Sequence, residues 1–233
     1  MRNTLFLIIL MQSLSLALAA QEDMHRFNFG VKSGFGSTIY SIQELSIAGH
    51  TINDIDTRSE VSWQGAFFLR LNMNRHYLQT ECSLCNSRYT IQFPTYVWYE
   101  YARQSDISTI STRMQCIEVP LLYGIHLRQE GDYGMSLFVG PKLCYILSDR
   151  SQHTFTNFTH QSITEVVHPF STAAVFGFGI NIHRLFFDFA AEAGLTQISK
   201  QFNTVNQNGA VKTSDIIYDR RKNSVNFSIG FMF

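Results

Sequence analysis

Residues 27–39 read FNFGVKSGFGSTI, and the alternation in this stretch decides the fold. The odd positions carry mostly apolar side chains, whereas the even positions carry glycine and polar residues such as Lys32. A period of two predicts a β-strand with one apolar face. The stretch has 13 residues, which is longer than an average globular strand of about five or six residues. A tilted strand that crosses a membrane needs about 9–11 residues, so the stretch predicts a membrane-spanning strand.

The same alternation recurs along the rest of the chain. Seven further segments show it: 61–71, 78–88, 117–127, 135–147, 172–180, 185–195 and 225–233. The connections are alternately long and short: about 40–60, 72–77, 89–116, 128–134, 148–171, 181–184 and 196–224. Short periplasmic turns and long outer loops are typical of outer-membrane barrels. We therefore predict an all-β fold, an eight-stranded antiparallel up-and-down transmembrane β-barrel in the bacterial outer membrane with both termini periplasmic.

Composition excludes two other classes of protein. Charged residues make up 15% of the chain, and 18 Lys+Arg are matched by 18 Asp+Glu. A nucleic-acid-binding chain would be markedly basic, so we expect no nucleic-acid partner. Aromatic residues at 14% and hydrophobic residues at 45% are too abundant for an intrinsically disordered chain.

The first 19 residues have the layout of a secretory signal peptide. Arg2 provides the positive charge, residues 5–11 form the apolar core, and Ala17-Leu18-Ala19 fits the small-x-small cleavage motif. We expect cleavage after Ala19 and export, which leaves residues 20–233 as a single barrel domain. An uncleaved anchor is the alternative.

The charged residues within the eight segments avoid the apolar face. The opposite face holds His126 and seven charged residues: Lys32, Arg70, Glu81, Glu118, Lys142, Asp188 and Glu192. A Lys or Arg at the lipid midplane costs about 2–4 kcal/mol, which explains this avoidance. An eight-stranded barrel has interior room only for side chains, so we predict a lumen filled by ion pairs, with glycines making space. The alternative is a soluble β-sandwich whose charged face meets water.

The last strand carries an assembly motif. Residues 225–233 read VNFSIGFMF, with aromatic side chains at Phe227, Phe231 and the terminal Phe233. This ending resembles the C-terminal signal by which bacterial outer-membrane barrels are recognised, so we expect the barrel assembly machinery as a partner. The alternative is an ordinary closing strand.

Three of the four cysteines share the inward parity, namely Cys85, Cys116 and Cys144, whereas Cys82 has the lipid-facing parity. A disulfide of Cys116 with Cys85 or Cys144 and a set of free buried thiols are both open at this stage. Cys82 and Cys85 look like half of a redox or metal motif, but residues i and i+3 of a strand point to opposite faces. No spacing of Cys, His and carboxylates matches a metal site, and we expect neither metal nor cofactor.

The predicted loops hold two further groups of interest. Tyr96, Trp98, Tyr99 and Tyr101 form an aromatic patch, which we interpret as a contact surface for a partner, a glycan or lipopolysaccharide. The alternative is packing against the barrel or an extended strand. Another loop holds Asp149, Ser151 and His153, but a catalytic triad requires a mutual geometry that spacing does not provide, and we expect no catalytic residues. Aromatic side chains expected at the membrane interface are Trp63, Tyr77, Tyr89, Tyr123 and Tyr145.

Four segments resemble the Bacteroidota outer-membrane β-barrel family that includes the PorT-like proteins: IEVPLLYGI (117–125), FVGPKLCYIL (138–147), VFGFGINI (175–182) and AAEAGLTQI (190–198). The more specific parts are Glu118-Val119-Pro120-Leu121 and Gly140-Pro141 followed by Tyr145. Over about 20–233 the resemblance implies an eight-stranded barrel in the outer membrane. Some members of that family serve secretion or gliding machinery.

Together these features predict a non-catalytic outer-membrane β-barrel protein with a structural or interaction role, such as an accessory to secretion or envelope assembly. Its expected partners are outer-membrane lipid, lipopolysaccharide, the assembly machinery and an envelope or secretion protein. One alternative is a lipid-modifying enzyme on a small barrel, which needs His, Ser and a carboxylate converging at the outer rim. Another is a soluble exported ligand-binding β-barrel, whose lumen would be apolar. A pore is disfavoured by the small strand number.

Overall fold

A computed structural model of the protein describes residues 26–47, 50–52, 55–97, 103, 105–131, 133–147, 152–156, 163–205, 211–213 and 216–233. Its strands, in chain order, are β1 Phe27–Ile47, β2 His50–Thr51, β3 Asp56–Ser59, β4 Val61–Met73, β5 His76–Pro94, β6 Ile107–Glu130, β7 Tyr133–Ile146, β8 Gln152–Thr156, β9 Ile163–Val167, β10 Phe170–Ile182, β11 Leu185–Gly194, β12 Ser199–Val205, β13 Val211–Thr213 and β14 Ile216–Met232. A single 3₁₀ turn, Thr95–Val97, follows β5. Among these residues, no helical segment has the length and apolar character needed to cross a membrane.

The eight long strands close into a ring. Each pairs in antiparallel fashion with its neighbours in the order β1, β4, β5, β6, β7, β10, β11 and β14. The ring closes where β1 pairs with β14, from Gly30 opposite Met232 to Ile47 opposite Ile216. Closure leaves none of these strands with an unpaired edge, which is what a lipid environment requires of a sheet. The predicted eight-stranded antiparallel barrel is confirmed.

The apolar face of the ring points outward. Phe67 on β4 keeps 73% of its surface exposed, whereas Arg70 on the same strand keeps 3%. Along the lipid-spanning part of the ring, most outward side chains are apolar. The inward side chains are mostly charged, polar or glycine, with a few buried apolar residues such as Phe68 and Phe138. A soluble β-sandwich or a soluble ligand-binding barrel needs the opposite arrangement, with apolar side chains inside. Both soluble alternatives are therefore wrong.

The short turns, the start of β1 and the end of β14 all lie on one side of the ring, which we call the turn end. Asn74 and His183 have φ of 54° and 56°, and Gly131 has φ of 55°. This left-handed backbone suits asparagine and glycine in tight turns. The Phe233 amide donates a hydrogen bond to the carbonyl of Phe29, which ties the last residue to the start of β1. We call the opposite end the loop end.

Several ring strands extend beyond their predicted bounds at the loop end. The predicted loop 89–116 is wrong, because β5 and β6 remain paired up to Pro94 opposite Ile107. Likewise, β1 continues to Ile47, and β14 begins at Ile216, inside the predicted loop 196–224. Polar residues replace apolar ones on the outer face of these extensions, while apolar residues appear inside: Tyr89, Ile91, Phe93 and Ile110 are buried. The polarity of the two faces inverts where the strands leave the lipid.

The inverted segments build a hydrophobic core at the loop end. Its buried members include Tyr40, Leu45, Tyr89, Ile91 and Ile110. β3 pairs with β5 and β8 pairs with β6 beside this core, and β9, β12 and β13 form a separate small sheet. The core closes the barrel above its charged middle.

Two of the five predicted interface aromatics point the wrong way. Tyr77 and Tyr89 both lie inside the barrel and keep only 1% of their surface exposed, because they occupy inward positions of β5. Trp63, Tyr123 and Tyr145 do face outward and are exposed.

Candidate functional site in the charged barrel interior

The structure places all seven predicted inward charges inside the ring and adds two more on β14: Lys222 and, at the loop end, Arg220 beside the rings of Tyr40 and Tyr89. Among the described interior side chains of the lipid-spanning part, the cations are Lys32, Arg70, Lys142 and Lys222, and the anions are Glu81, Glu118, Asp188 and Glu192. The sequence pattern does not indicate Lys222, because the outward apolar residues of the last strand begin only at residue 225. The even positions of this strand face inward, and continuing the same alternation from Ser224 toward the N-terminus reaches Lys222.

The charges form two clusters. The turn-side cluster consists of Lys32, Arg70, Gln79, Glu81 and Asp188. The Nζ atom of Lys32 lies 2.7 Å from Oε1 of Glu81 and 3.7 Å from Oδ2 of Asp188. Gln79 accepts a 2.6 Å hydrogen bond from Nε of Arg70 and donates a 2.7 Å hydrogen bond to Oε1 of Glu81. The contacts therefore run continuously from β4 through β5 and β1 to β11.

Aromatic rings hold the Arg70 guanidinium in place. It lies 4.4 Å from the centre of the Tyr77 ring and 5.6 Å from that of Phe186, distances at which cation–π attraction acts. The Tyr77 ring in turn packs onto the backbone of Gly124. A Cβ atom at Gly124 would lie 2.0 Å from Cζ of Tyr77, so this position requires glycine.

The loop-side cluster consists of Glu118, Lys142, Glu192, Lys222 and Ser224. Glu118 binds a different ammonium group with each oxygen: Oε2 lies 2.8 Å from Nζ of Lys142, and Oε1 lies 2.6 Å from Nζ of Lys222. Lys142 also binds Glu192, which accepts a 2.5 Å hydrogen bond from Ser224. Each of the four charges in this cluster thus has an opposite charge beside it, as a low-dielectric interior demands.

The barrel interior opens at its turn end. A mouth of about 780 Å³ is lined by Arg26, Asn28, Arg70, His126 and neighbouring turn residues. Among the two clusters, the cavities shrink to about 30 Å³ and about 10 Å³. A void of about 10–15 Å³ holds roughly one water molecule. The side chains therefore plug the barrel between the mouth and the loop-end core.

Three thiols lie beside the loop-side cluster. All four cysteines are free: Cys85, Cys116 and Cys144 are buried, and Cys82 is exposed. Cys85 and Cys116 are directly opposite each other across β5 and β6. Sγ of both cysteines and a carboxylate oxygen of Glu118 lie within 4.8 Å of one another. Sequence spacing did not show this group, because its members come from two strands and meet only through the strand register.

Other predicted sites are described in part. Tyr96 lies in the turn after β5 and is exposed, but Trp98, Tyr99 and Tyr101 are outside the described residues. Residues 1–19, Asp149, Ser151 and the side chain of His153 are outside them as well. At the C-terminus, Phe227, Phe231 and Phe233 face outward, and the Phe233 ring stacks 5.5 Å from that of Phe29.

Comparison with known proteins agrees with this architecture. The profile of a family described as "Outer membrane protein beta-barrel domain" matches residues 19–200. No curated protein sequence matches the chain. The fold is similar to that of the outer membrane protein OprG from Pseudomonas aeruginosa, with 8% identity and a TM-score of 0.60 over 89% of this chain and 95% of that chain. It is also similar to the outer membrane protease OmpT from Escherichia coli, with 9% identity and a TM-score of 0.50 over 89% of this chain and 97% of that chain. At such identities the likeness shows the fold alone.

Proposed function

The chain belongs to the outer membrane protein β-barrel domain family and is an outer-membrane β-barrel protein, and from this premise we propose that it acts as a closed, non-catalytic barrel with a structural or interaction role. The observation that carries the proposal is the pairing of the interior charges. Glu81, Glu118 and Glu192 all bind ammonium groups of the same barrel. Such carboxylates serve to hold the ring together and fill it.

A pore and an enzyme would place different demands on the barrel. A pore needs a continuous path of water, and a lipid-modifying or proteolytic enzyme needs an acid, a base or a nucleophile that is free to meet substrate. In the described part, the cavities between the clusters have room for only a few water molecules. This favours a plug over a channel.

The proposal includes an orientation and a set of partners. The short turns, the start of β1 and the end of β14 lie at the turn end, which we assign to the periplasm. The strand extensions at the loop end then lie on the outer side of the membrane. Lipopolysaccharide would surround the loop end, where Tyr96 is exposed. The resemblance to PorT-like proteins of Bacteroidota supports an accessory role in secretion or envelope assembly.

Conductance separates the closed barrel from a pore. Protein from a membrane fraction that resists alkaline washing would be purified in mild detergent, and a gel shift on boiling would identify the folded form. In planar lipid bilayers we expect no steady current from the wild type. The Glu118→Ala/Lys142→Ala/Glu192→Ala variant, which removes three of the five side chains of the loop-side cluster, serves as the matched comparison. Steady conductance of the wild type would refute the plug.

Mass spectrometry of the membrane lipids tests the absence of catalysis. Lipid from cells that make the barrel should equal lipid from cells that make the Ser151→Ala/His153→Ala variant. A lipid product that depends on Ser151 and His153 would establish the enzyme instead.

Site-specific crosslinking tests the interaction role. A photoreactive residue at Tyr96 should give a defined adduct with one envelope protein or with lipopolysaccharide in living cells. The same residue at Arg128, an exposed position at the turn end, is the control. A lack of any adduct specific to Tyr96 would argue against a partner at this position.

The C-terminal phenylalanines extend the proposal to assembly. We expect Phe233→Ser to lower insertion into the outer membrane of cells while leaving refolding into pure lipid vesicles intact, because only cellular insertion uses the assembly machinery. Phe178→Ser removes another exposed, outward phenylalanine as a control. Equal insertion of the two variants would contradict a signal at Phe233.

A further inference from the structure

The ammonium group of Lys222 lies among three donor atoms that also suit a metal ion. Its Nζ atom is 2.6 Å from Oε1 of Glu118, 3.8 Å from Sγ of Cys116 and 3.9 Å from Sγ of Cys85. The Cys116 thiol also donates a 3.5 Å hydrogen bond to Oε1 of Glu118. We call the side chains of Cys85, Cys116 and Glu118 the thiol–carboxylate triad. The barrel has thus built a pocket for a cation, which its own lysine occupies.

We infer that the thiol–carboxylate triad binds a thiophilic divalent cation of the Zn²⁺ class, which displaces the Lys222 ammonium. The donor atoms of Cys85, Cys116 and Glu118 lie within 4.8 Å of one another. Zinc–sulfur bonds of about 2.3 Å place tetrahedral sulfur ligands roughly 3.8 Å apart. Small side-chain rotations of the three residues are enough to bring their donor atoms from these spacings to the spacing around a zinc ion, with no change in strand register.

The donor set selects the class of ion. Mg²⁺ and Ca²⁺ prefer sites made of oxygen atoms alone, whereas thiolates favour Zn²⁺ and softer ions. Cys144 can supply a fourth ligand, because it lies opposite Glu118 across β6 and β7 and lines the same small cavity as Cys116. A cavity of about 10 Å³ lined by Cys116, Cys144 and Lys222 offers room for roughly one water molecule as the alternative fourth ligand.

Charge balance favours this exchange inside the barrel. Lys142 and Lys222 balance Glu118 and Glu192 in the loop-side cluster. Binding of M²⁺ breaks two S–H bonds, forms two M–S bonds and releases two protons to solvent, with no oxidation or reduction. The sum of charges in the cluster therefore stays unchanged, which avoids the cost of adding net charge to a buried site. Lys222 has a flexible four-carbon stem that lets its ammonium move aside.

Metal titration of the folded barrel tests the site. The detergent-purified full chain would be reduced, freed of metal with a chelator and titrated with Zn²⁺ against a chromophoric chelator. Cd²⁺ would report sulfur ligation by its charge-transfer absorption. We expect one equivalent to bind to the wild type. Elemental analysis of the reisolated protein gives the stoichiometry independently.

Three variants separate the triad from other sulfur atoms. Cys85→Ser/Cys116→Ser should weaken Zn²⁺ binding by at least about tenfold. Replacing residues that only support the ligands of a metal already causes a loss of this size. Cys82→Ser should bind as the wild type does, because Cys82 is exposed on the outward face. Lys222→Met should bind more tightly, since it removes the competing ammonium.

Two results of the metal titration would overturn the inference. Absence of binding by both the wild type and Lys222→Met would do so, as would unchanged binding by the folded double-cysteine variant. Alkylation without reductant provides another test: a Cys85–Cys116 disulfide in the barrel taken directly from membranes would consume both ligands. If the double variant lacks the heat-modifiable folded band, single Cys85→Ser and Cys116→Ser variants replace it. The inference does not depend on whether the barrel has a protein partner.

Discussion

Replacing Lys142 with methionine tests whether the interior charges hold the barrel together. The Lys142 side chain is only 4% exposed, and its Nζ atom lies 2.8 Å from Oε2 of Glu118. At an effective dielectric constant of about 20, a contact of this length corresponds to roughly 6 kcal/mol of attraction. Part of this is offset by the desolvation of both groups, and removal of one partner of a buried ion pair costs about 3–5 kcal/mol. Glu192 would keep only Ser224 as its described partner.

An exposed ion pair of similar length provides the matched control. Nη2 of Arg128 lies 2.6 Å from Oε1 of Glu130 at the turn end, and the two side chains are 71% and 68% exposed. Exposed pairs contribute about 0–1 kcal/mol, so Arg128→Met should change the free energy of unfolding by no more than that. The two ion pairs have similar contact lengths and differ strongly in burial.

Urea unfolding of barrels refolded into lipid vesicles measures how much each substitution lowers the free energy of unfolding. The fraction of the fast-migrating band in unboiled gels and tryptophan fluorescence, to which the outward Trp63 contributes, provide two independent probes. The Lys142→Met/Glu192→Gln variant removes the unpaired carboxylate as well and should recover part of the loss. If Lys142→Met costs less than about 1 kcal/mol, like Arg128→Met, the interior is hydrated and the argument for a closed plug fails.

Two further pairs of substitutions test the inner and the outer face of the barrel wall. Gly124→Ala should destabilise the barrel by about 1–3 kcal/mol because its Cβ would overlap the Tyr77 ring, whereas Gly65→Ala, which meets open space, should change stability by no more than about 0.5 kcal/mol. Equal urea midpoints for the two variants in vesicles would contradict the close packing. Phe67→Arg should cost about 2–4 kcal/mol in a bilayer, whereas Val61→Arg, at the loop end of β4, should cost about 0–1 kcal/mol. Equal costs would mean that Phe67 does not face hydrocarbon.

Strand β5 illustrates how far the sequence leads. Its lipid-spanning part alternates apolar outward with polar inward residues, and the sequence predicts it as residues 78–88. Beyond the lipid the same inward parity carries Tyr89, Ile91 and Phe93. A search for outward apolar residues therefore ends the strand too early and assigns its continuation to a loop. The error arises because the solvent outside the wall changes from lipid to water while the strand continues.

The cysteines illustrate what parity leaves undecided. Parity places Cys85, Cys116 and Cys144 on the inward side, and all three are buried there. Whether two thiols meet depends on how far each strand is shifted against its neighbour. The register sets Cys85 opposite Cys116 and places both beside Glu118, so that a ligand group arises from residues with no characteristic spacing.

The sequence by itself determined the number of ring strands, the lipid-facing side of each of these strands and the inward placement of seven of the eight charges in the two clusters. These are local properties, because side chains alternate along a strand and lipid accepts apolar side chains on one face. Only the tertiary structure decided the partners: Lys142 of β7 between Glu118 of β6 and Glu192 of β11, and Lys222 beside the thiols. Such contacts depend on ring closure and on the stagger between strands, which join residues far apart in the chain and leave no trace in local alternation.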